Sequence, residues 1–283
     1  MEASQVGFGT YQLKGKACYD AVKWAIEGGY KLIDSATVYR NEEQIGNVLQ
    51  DLKIQQSEIF ITSKLGPNDQ GYDSCIAAVD KSLSNLKLSV IDQYLIHWPG
   101  VGKTDPSSTE NYKLRTDSYR ALEQCVNDKK LRFIGVSNFN LKHLNQVLEN
   151  SDIKPYLIQN ECHPLYYDEE LINYCKENKI KYQAYSSFGS SGTGNLVDQF
   201  SDYFLGNHLD LITKRHSKSL PQVLLKWALQ NDLYVIPKAS SKDHILENFA
   251  LDFTLTDLEM DKIDHLRDEL GMNKFCWDPK VVN

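Results

Sequence analysis

The chain has 283 residues, 41% hydrophobic and 24% charged, which is enough apolar material for a core and too balanced for a disordered, collagen-like or coiled-coil chain. Its 38 acidic residues outnumber 31 basic ones, and the formal net charge of −7 excludes a broad basic surface for nucleic acid while leaving room for a local anion site. No apolar run approaches the roughly 18 to 20 residues of a membrane span, the opening residues lack a signal-peptide pattern, and the 6 cysteines form no Cys-x-x-Cys pair, so a cytoplasmic protein with reduced thiols, no membrane partner and no metal centre is expected.

Short apolar runs rich in branched and aromatic residues alternate with longer stretches of helical periodicity. The predicted strands are Val6 to Gly9, Lys31 to Ile33, Ile59 to Ser63, Ile91 to Ile96, Phe133 to Val136, Leu157 to Gln159, Tyr182 to Ala184 and Tyr234 to Ile236. Between the first two strands, Ala17, Ala21, Val22, Trp24, Ala25 and Ile26 give a helical face that stops at Gly28 and Gly29. A second helix opens at Asn41, with Gln44 three residues on in a capping-box-like arrangement. Further helices are predicted from Cys75 to Leu86, Tyr112 to Asn127, Leu141 to Leu148, Glu169 to Glu177 and, after a Ser/Gly tract from Ser186 to Asn195, Leu220 to Leu229.

At about 150 residues per domain the length admits two domains, but a single α/β barrel fits equally well. Strand followed by helix throughout, with no visible linker, favours a parallel sheet covered by helices. Eight such units close as a barrel, and the rival doubly wound sheet lacks a Gly-x-Gly-x-x-Gly after its first strand. The expected fold class is therefore α/β, a (β/α)8 TIM barrel forming a single domain over residues 1–283. Only five residues precede the first predicted strand, Val6 to Gly9.

In such a barrel the reacting groups come from the C-terminal ends of strands. Asp34 ends the second strand, Tyr39 lies in the loop after it, Lys64 ends the third and His97 the fourth. Each has a bland reading: Asp34 as the partner of a lysine, Lys64 as a solvated strand end, His97 as a satisfied core histidine and Tyr39 as an ordinary loop aromatic. Jointly, an acid, a base and a phenol at neighbouring strand ends point to proton-transfer chemistry.

These residues also carry a family resemblance. The run Ile33-Asp34-Ser35-Ala36-Thr37-Val38-Tyr39-Arg40-Asn41-Glu42 is similar to the aldo-keto reductase signature, and Ile61 to Leu65 and Tyr94 to Pro99 resemble the segments that hold that family's Lys and His. Gly135-Val136-Ser137-Asn138-Phe139, Gln159-Asn160-Glu161-Cys162-His163-Pro164, Ala184-Tyr185-Ser186 and Ile236-Pro237-Lys238 follow in the family's order, so the resemblance runs from Gly7 to about Leu270, most like the short, microbial-type members. It implies the same barrel and reduction of aldehydes or ketones with NADPH. In that scheme Tyr39 is the general acid, Lys64 and Asp34 lower its pKa, and His97 orients the carbonyl. The resemblance also implies that Ser137, Asn138 and Gln159 hydrogen-bond the nicotinamide carboxamide and that Tyr185 stacks on its ring. Ser186, Phe188 and Ser190 would hold the pyrophosphate under the Ser/Gly loop, Lys238 and Ser240 the 2′-phosphate, and Glu247 and Asn248 the adenine. His244 stands where most members have an arginine, and Ala239 where a serine is usual, so NADPH is expected to be preferred by a narrower margin over NADH. Tyr11, Trp98, Phe139 and Trp277 would line the substrate pocket, and Gly66, in place of a frequent tryptophan, would leave one wall open. A small-molecule carbonyl substrate and a monomer are expected. The alternatives are a catalytically weak cofactor-binding regulatory protein on the same fold and a divergent hydrolase, the latter lacking a nucleophile, His and acid set.

Overall fold

The computed structural model describes residues 2–190, 194–195 and 208–283. All eight predicted strands form, as β1 (Phe8–Gly9), β2 (Leu32–Asp34), β3 (Phe60–Leu65), β4 (Ile91–Ile96), β5 (Leu131–Ser137), β6 (Leu157–Glu161), β7 (Lys181–Tyr185) and, after a small antiparallel pair β8 (Gly189–Ser190) and β9 (Gly194–Asn195), β10 (Tyr234–Val235). They pair in parallel in the order β1-β2-β3-β4-β5-β6-β7-β10. A parallel bridge from Val6 to Val235 closes the ring, with the Gly7 amide donating to the Val235 carbonyl and the Val235 amide to the Gln5 carbonyl, both at 2.8 Å. The result is a single-domain (β/α)8 barrel.

Several strands run one or two residues past the predicted ends. Leu65 still pairs with Ile96, Ser137 with Gln159 and Glu161 with Tyr185. A hydrophobicity pattern ends where polar residues begin, whereas backbone pairing continues into the rim, where polar side chains face a site rather than a core.

The outer shell of helices is α1 (Gly15–Glu27), α2 (Glu42–Asp51), α3 (Tyr72–Leu86), α4 (Glu110–Asn127), α5 (Leu141–Leu148), α6 (Glu169–Glu177), α7 (His208–His216), α8 (Leu220–Gln230), α9 (Lys242–Phe249), α10 (Asp257–Asp264) and α11 (Leu266–Leu270). Their apolar faces, such as Ala21, Val22 and Ala25 of α1 or Leu144 and Val147 of α5, bury against outward strand residues such as Ile33, Ile61, Ile134 and Ile158. Alternation then turns the other residues of each strand inward. Gly135 is one of these, and a Cβ there would lie 2.2 Å from the Leu157 carbonyl oxygen of the neighbouring strand.

Inside the ring the side chains are layered. Ala3, Leu32, Phe60 and Ile236 form a separate apolar cluster flanked by Phe133, Tyr156, Tyr185 and Tyr234, with Ala3, Leu32 and Phe60 at the bottom. The Ala3 amide donates to Tyr156 Oη at 3.2 Å, so the approach to the first strand packs against these rings. The middle layer is polar: Thr62 donates to Gln93 at 3.1 Å and Gln159 to Gln183 at 2.8 Å. The top layer holds Asp34 and Lys64.

One local expectation is overturned at α2. Asn41 makes no side-chain cap. Its Nδ2 donates to the carbonyls of Thr10 (2.9 Å) and Leu13 (3.0 Å), and its Oδ1 accepts from Ser35 Oγ at 2.6 Å. Three rim segments need a common tie more than this helix needs a cap, and Gln44 Oε1 is left buried without a partner.

Candidate active site

Asp34 and Lys64 meet at the top of the barrel because their strands are adjacent and both side chains point inward. Lys64 Nζ lies 2.5 Å from Asp34 Oδ1 and donates to the Ser35 carbonyl at 2.8 Å, with the lysine side chain wholly buried. A 3-10 turn, Thr37–Tyr39, follows β2 and ends on Arg40 in the left-handed region (φ 56°). Thr37 Oγ1 donates to the Lys64 carbonyl at 3.0 Å, which pins the turn to β3. Tyr39 is thereby carried over the pair, its ring centroid 5.2 Å from Lys64 Nζ and 5.7 Å from the His97 ring. The four residues singled out for proton transfer do converge.

Their electrostatics differ from expectation in one respect. Burial, then the charge of Asp34, pushes the Tyr39 phenol well above 10.0. Lys64 was expected to draw it down, but that ammonium is engaged by Asp34 and by the Ser35 carbonyl, and the charge that acts on the phenol is that of Asp34. Burial also lowers Lys64 itself, with Asp34 opposing. Burial and the Lys64 charge hold His97 well below 6.5, so its imidazole is neutral, and its Nδ1 is buried without a partner. At neutral pH the site presents a protonated phenol beside a neutral imidazole.

The residues expected at a carboxamide continue this network. Ser137 Oγ donates to the Gln159 carbonyl at 2.8 Å, Asn138 Nδ2 to the His97 carbonyl at 2.9 Å, and Tyr185 Oη to Asn138 Oδ1 at 2.5 Å. Gln159 Nε2 donates to Asp34 Oδ2 at 2.8 Å as well as to Gln183. Sequence reasoning missed Gln183, whose inward position follows from lying two residues before Tyr185 on the same face of β7. It also passed over Glu161, read only as part of a motif.

Around the rim, Ser186 sits in the left-handed region (φ 52°) with its hydroxyl 3.6 Å from Cys276 Sγ. Phe188 packs against the main core, and the neighbouring Ser187 Oγ is buried and unpartnered, an additional candidate polar group that the sequence reading did not single out. Ser190 pairs through its backbone in β8; the tip of the Ser/Gly loop and the segment to Asn207 lie outside the described residues, apart from Gly194 and Asn195. Lys238 and Ser240 follow β10, and α9 starts at an N-cap Ser241 that accepts from the His244 amide. Ser240, Ser241, Lys242 and His244 are all exposed there, while Glu247 is half-buried and Asn248 buried. A helix N-terminus with lysine, serine and histidine side chains suits a phosphate group, and an unpartnered serine at the rim suits a polar ligand. The donor set therefore fits a phosphorylated nicotinamide cofactor.

Over the mouth, Tyr11 is exposed and leans on Tyr39 at 5.2 Å, and Trp277 meets Trp98 edge-on at 5.0 Å. Trp98, Trp277, Pro67, Val101 and Val282 line a largely apolar cavity of about 310 Å³. Two expectations fail here. Phe139 is only 1% exposed, its ring set between His143 (5.7 Å) and the Arg115 guanidinium (5.8 Å), so it belongs to the core rather than the pocket. Gly66 does not open a wall, since Thr37, Val38 and Asp69 fill the space a Cβ would need. Among the described residues no group of His, Cys, Asp and Glu could hold a metal ion, and no helix is long and apolar enough to cross a membrane.

Comparison with known proteins agrees with this arrangement. Residues 5–268 match the aldo/keto reductase family. The chain is 40% identical over 268 residues to "Glyoxal reductase" of Bacillus subtilis (strain 168), covering 94% of this chain and 90% of that protein. Its fold superposes with a TM-score of 0.87 on MGS-M4, an aldo-keto reductase enzyme from a Medee basin deep-sea metagenome library, at 36% identity and over 100% and 97% of the two chains. It superposes with a TM-score of 0.84 on a Gox0644 variant solved in complex with NADPH, at 28% identity and over 99% and 94% of the chains. With the family match extending over nearly the whole barrel, the chain belongs to the aldo/keto reductase family.

Proposed function

We propose that the protein reduces small aldehydes and ketones to alcohols with NADPH, and that Tyr39 delivers the proton. The observation that carries this reading is the constellation of a half-buried Tyr39 over buried Lys64, Asp34 and His97 beneath an apolar mouth. The bound cofactor would supply the hydride. A carbonyl oxygen seated between Tyr39 Oη and the neutral His97 imidazole is held by two donors, which orients it and stabilises negative charge as it develops. Tyr39 then gives its proton to that oxygen, and the Lys64 ammonium, 5.2 Å from the ring, offsets the phenolate left behind. Asp34 keeps Lys64 charged and in place. Gln159, anchored by Asp34 and Gln183, together with Ser137 and Asn138, offers the amide and hydroxyl groups that suit a carboxamide. Tyr185 offers a ring face.

Lys238, Ser240, His244 and the α9 N-terminus are the groups suited to the 2′-phosphate, with Glu247 and Asn248 toward the adenine. Because His244 lacks the permanent forked charge of arginine, NADPH is favoured over NADH chiefly through Lys238, and His244→Arg should widen the ratio of catalytic efficiencies by roughly tenfold. The apolar cavity and the glyoxal reductase relative point to small dicarbonyls and aldehydes with short apolar tails. The deciding experiment follows loss of reduced-cofactor absorbance over a panel of aldehydes and dicarbonyls, with NADPH and NADH in parallel, for the wild type and Tyr39→Phe. Turnover in the wild type that falls by about 100-fold or more in the variant supports the assignment. Full activity without the phenol removes Tyr39 from proton transfer.

A further inference from the structure

The sixth barrel strand ends on a carboxylate that proton transfer leaves unused. The Glu161 side chain has no exposure, yet it accepts four hydrogen bonds. Oε1 takes the Phe275 amide at 2.6 Å and His163 Nε2 at 3.1 Å; Oε2 takes Lys274 Nζ at 2.6 Å and the Cys276 amide at 3.1 Å. Three of the four come from one short stretch that lies 113 to 115 positions away in sequence. The same stretch is clamped from its flanks, with the Phe275 ring 5.0 Å from His163 and the Lys274 ammonium 4.2 Å over the Tyr166 ring. Successive backbone N–H groups converging on a carboxylate form an anion nest, and charge-assisted bonds of this kind are about twice as strong as neutral ones.

Immediately beyond the nest the chain becomes the pocket wall. Cys276 Sγ touches Ser186, and Trp277 sets its ring edge-on to Trp98, whose ring lies 6.3 Å from His97. Both tryptophans line the apolar cavity, and Trp98 directly follows His97 in the chain. Trp277 is half exposed, so its place is set by its chain neighbours, the buried Phe275 held in the nest before it and Pro279 after it.

We propose that Glu161 is a positioning residue that clasps Lys274–Cys276 to the barrel rim and thereby fixes Trp277 as the wall receiving the distal part of the substrate. The substrate half of this inference rests on the carbonyl-reductase reading; the clasp itself does not. The Phe275–Cys276 peptide bond sits inside the nest, so chymotrypsin should cut it slowly in the wild type. In Glu161→Gln and Lys274→Met that cut should speed up by about tenfold or more, with cleavage after buried core aromatics unchanged. In steady-state reduction with NADPH, KM for 3-phenylpropanal should rise by roughly fivefold or more in both variants, while kcat/KM for propanal stays within about twofold. Glu161→Asp, which keeps the charge, should recover part of both effects.

Unchanged cleavage between Phe275 and Cys276 in both variants overturns the clasp. Faster cleavage with equal kinetic loss for the two aldehydes overturns the role in substrate reception. A wild type that reduces neither aldehyde defeats the carbonyl-reductase reading, and the proteolysis still decides the clasp. Should Glu161→Gln fail to fold, Lys274→Met, which alters a partly exposed ammonium, supplies the same two measurements.

Discussion

Acid should loosen Glu161 in a measurable way. Burial alone would raise its carboxyl, but the bonds from His163 and Lys274, the Lys274 charge and the Phe275 amide together bring it from an ordinary 4.5 down to about 2. A carboxyl depressed in the folded state contributes stability that is fully present above its unfolded value and is lost as pH falls toward the folded one. The gap corresponds to roughly 3 kcal/mol at neutral pH, of which about 2 kcal/mol is gone by pH 3. Glu161→Gln keeps the shape without the titration, so the difference in unfolding free energy between wild type and variant should narrow by about 2 kcal/mol between pH 6 and pH 3. Urea denaturation followed by far-ultraviolet circular dichroism in half-unit pH steps measures it. His163, in contact with the carboxylate, is held below 6.5 by burial, and repeating the comparison in a His163→Gln background separates the two titrations. A difference that stays constant over this range would mean the anion is no better held in the folded chain than in the unfolded one, which sinks the clasp's energetics.

The other expectations are briefer. With Tyr39 raised well above 10.0 and His97 held well below 6.5, kcat/KM for carbonyl reduction should be level from pH 6 to 9, while alcohol oxidation, which needs the phenolate, climbs toward about tenfold per pH unit; an acid limb near 6.5 in reduction would contradict a neutral His97. Asp34→Asn leaves the buried Lys64 without its counter-charge and should cost roughly 3 to 5 kcal/mol of stability, or drive Lys64 neutral, with loss of activity either way; thermal unfolding and the aldehyde assay test it. Gly135→Ala puts a Cβ 2.2 Å from the Leu157 carbonyl and must part β5 from β6, so a fall in Tm of several degrees is expected and an unchanged Tm would refute the close approach.

The barrel and its rim were legible because both follow from short-range rules. A strand is a local run of residues, and the barrel then assigns its last residues to a common face, so Asp34, Lys64 and His97 could be placed together before any contact was known. Residues whose role depends on packing were not legible in this way. Phe139 follows Ser137 and Asn138 in a rim motif, but its ring turns into the shell against His143 and Arg115. Gly66 suggested an opening, yet Thr37 and Val38 from the preceding loop occupy it. Asn41 read as a helix cap, whereas its amide ties Thr10, Leu13 and Ser35 together across the rim.

Glu161 shows most clearly why such residues escape a sequence reading. Its partners Lys274, Phe275 and Cys276 lie more than a hundred positions downstream, two of them contribute backbone amides that any residue type would supply, and nothing in their side chains announces an acceptor. Asp34 has the opposite character: its partner, Lys64, lies next to the end of the neighbouring strand, and the pairing follows from topology alone. The two buried carboxylates thus divide the site between them. In the proposed reduction Asp34 holds a charge fixed beneath the reacting atoms. In the proposed clasp Glu161 holds a stretch of chain above them, so variation in the residues after it should alter the mouth without disturbing the chemistry below.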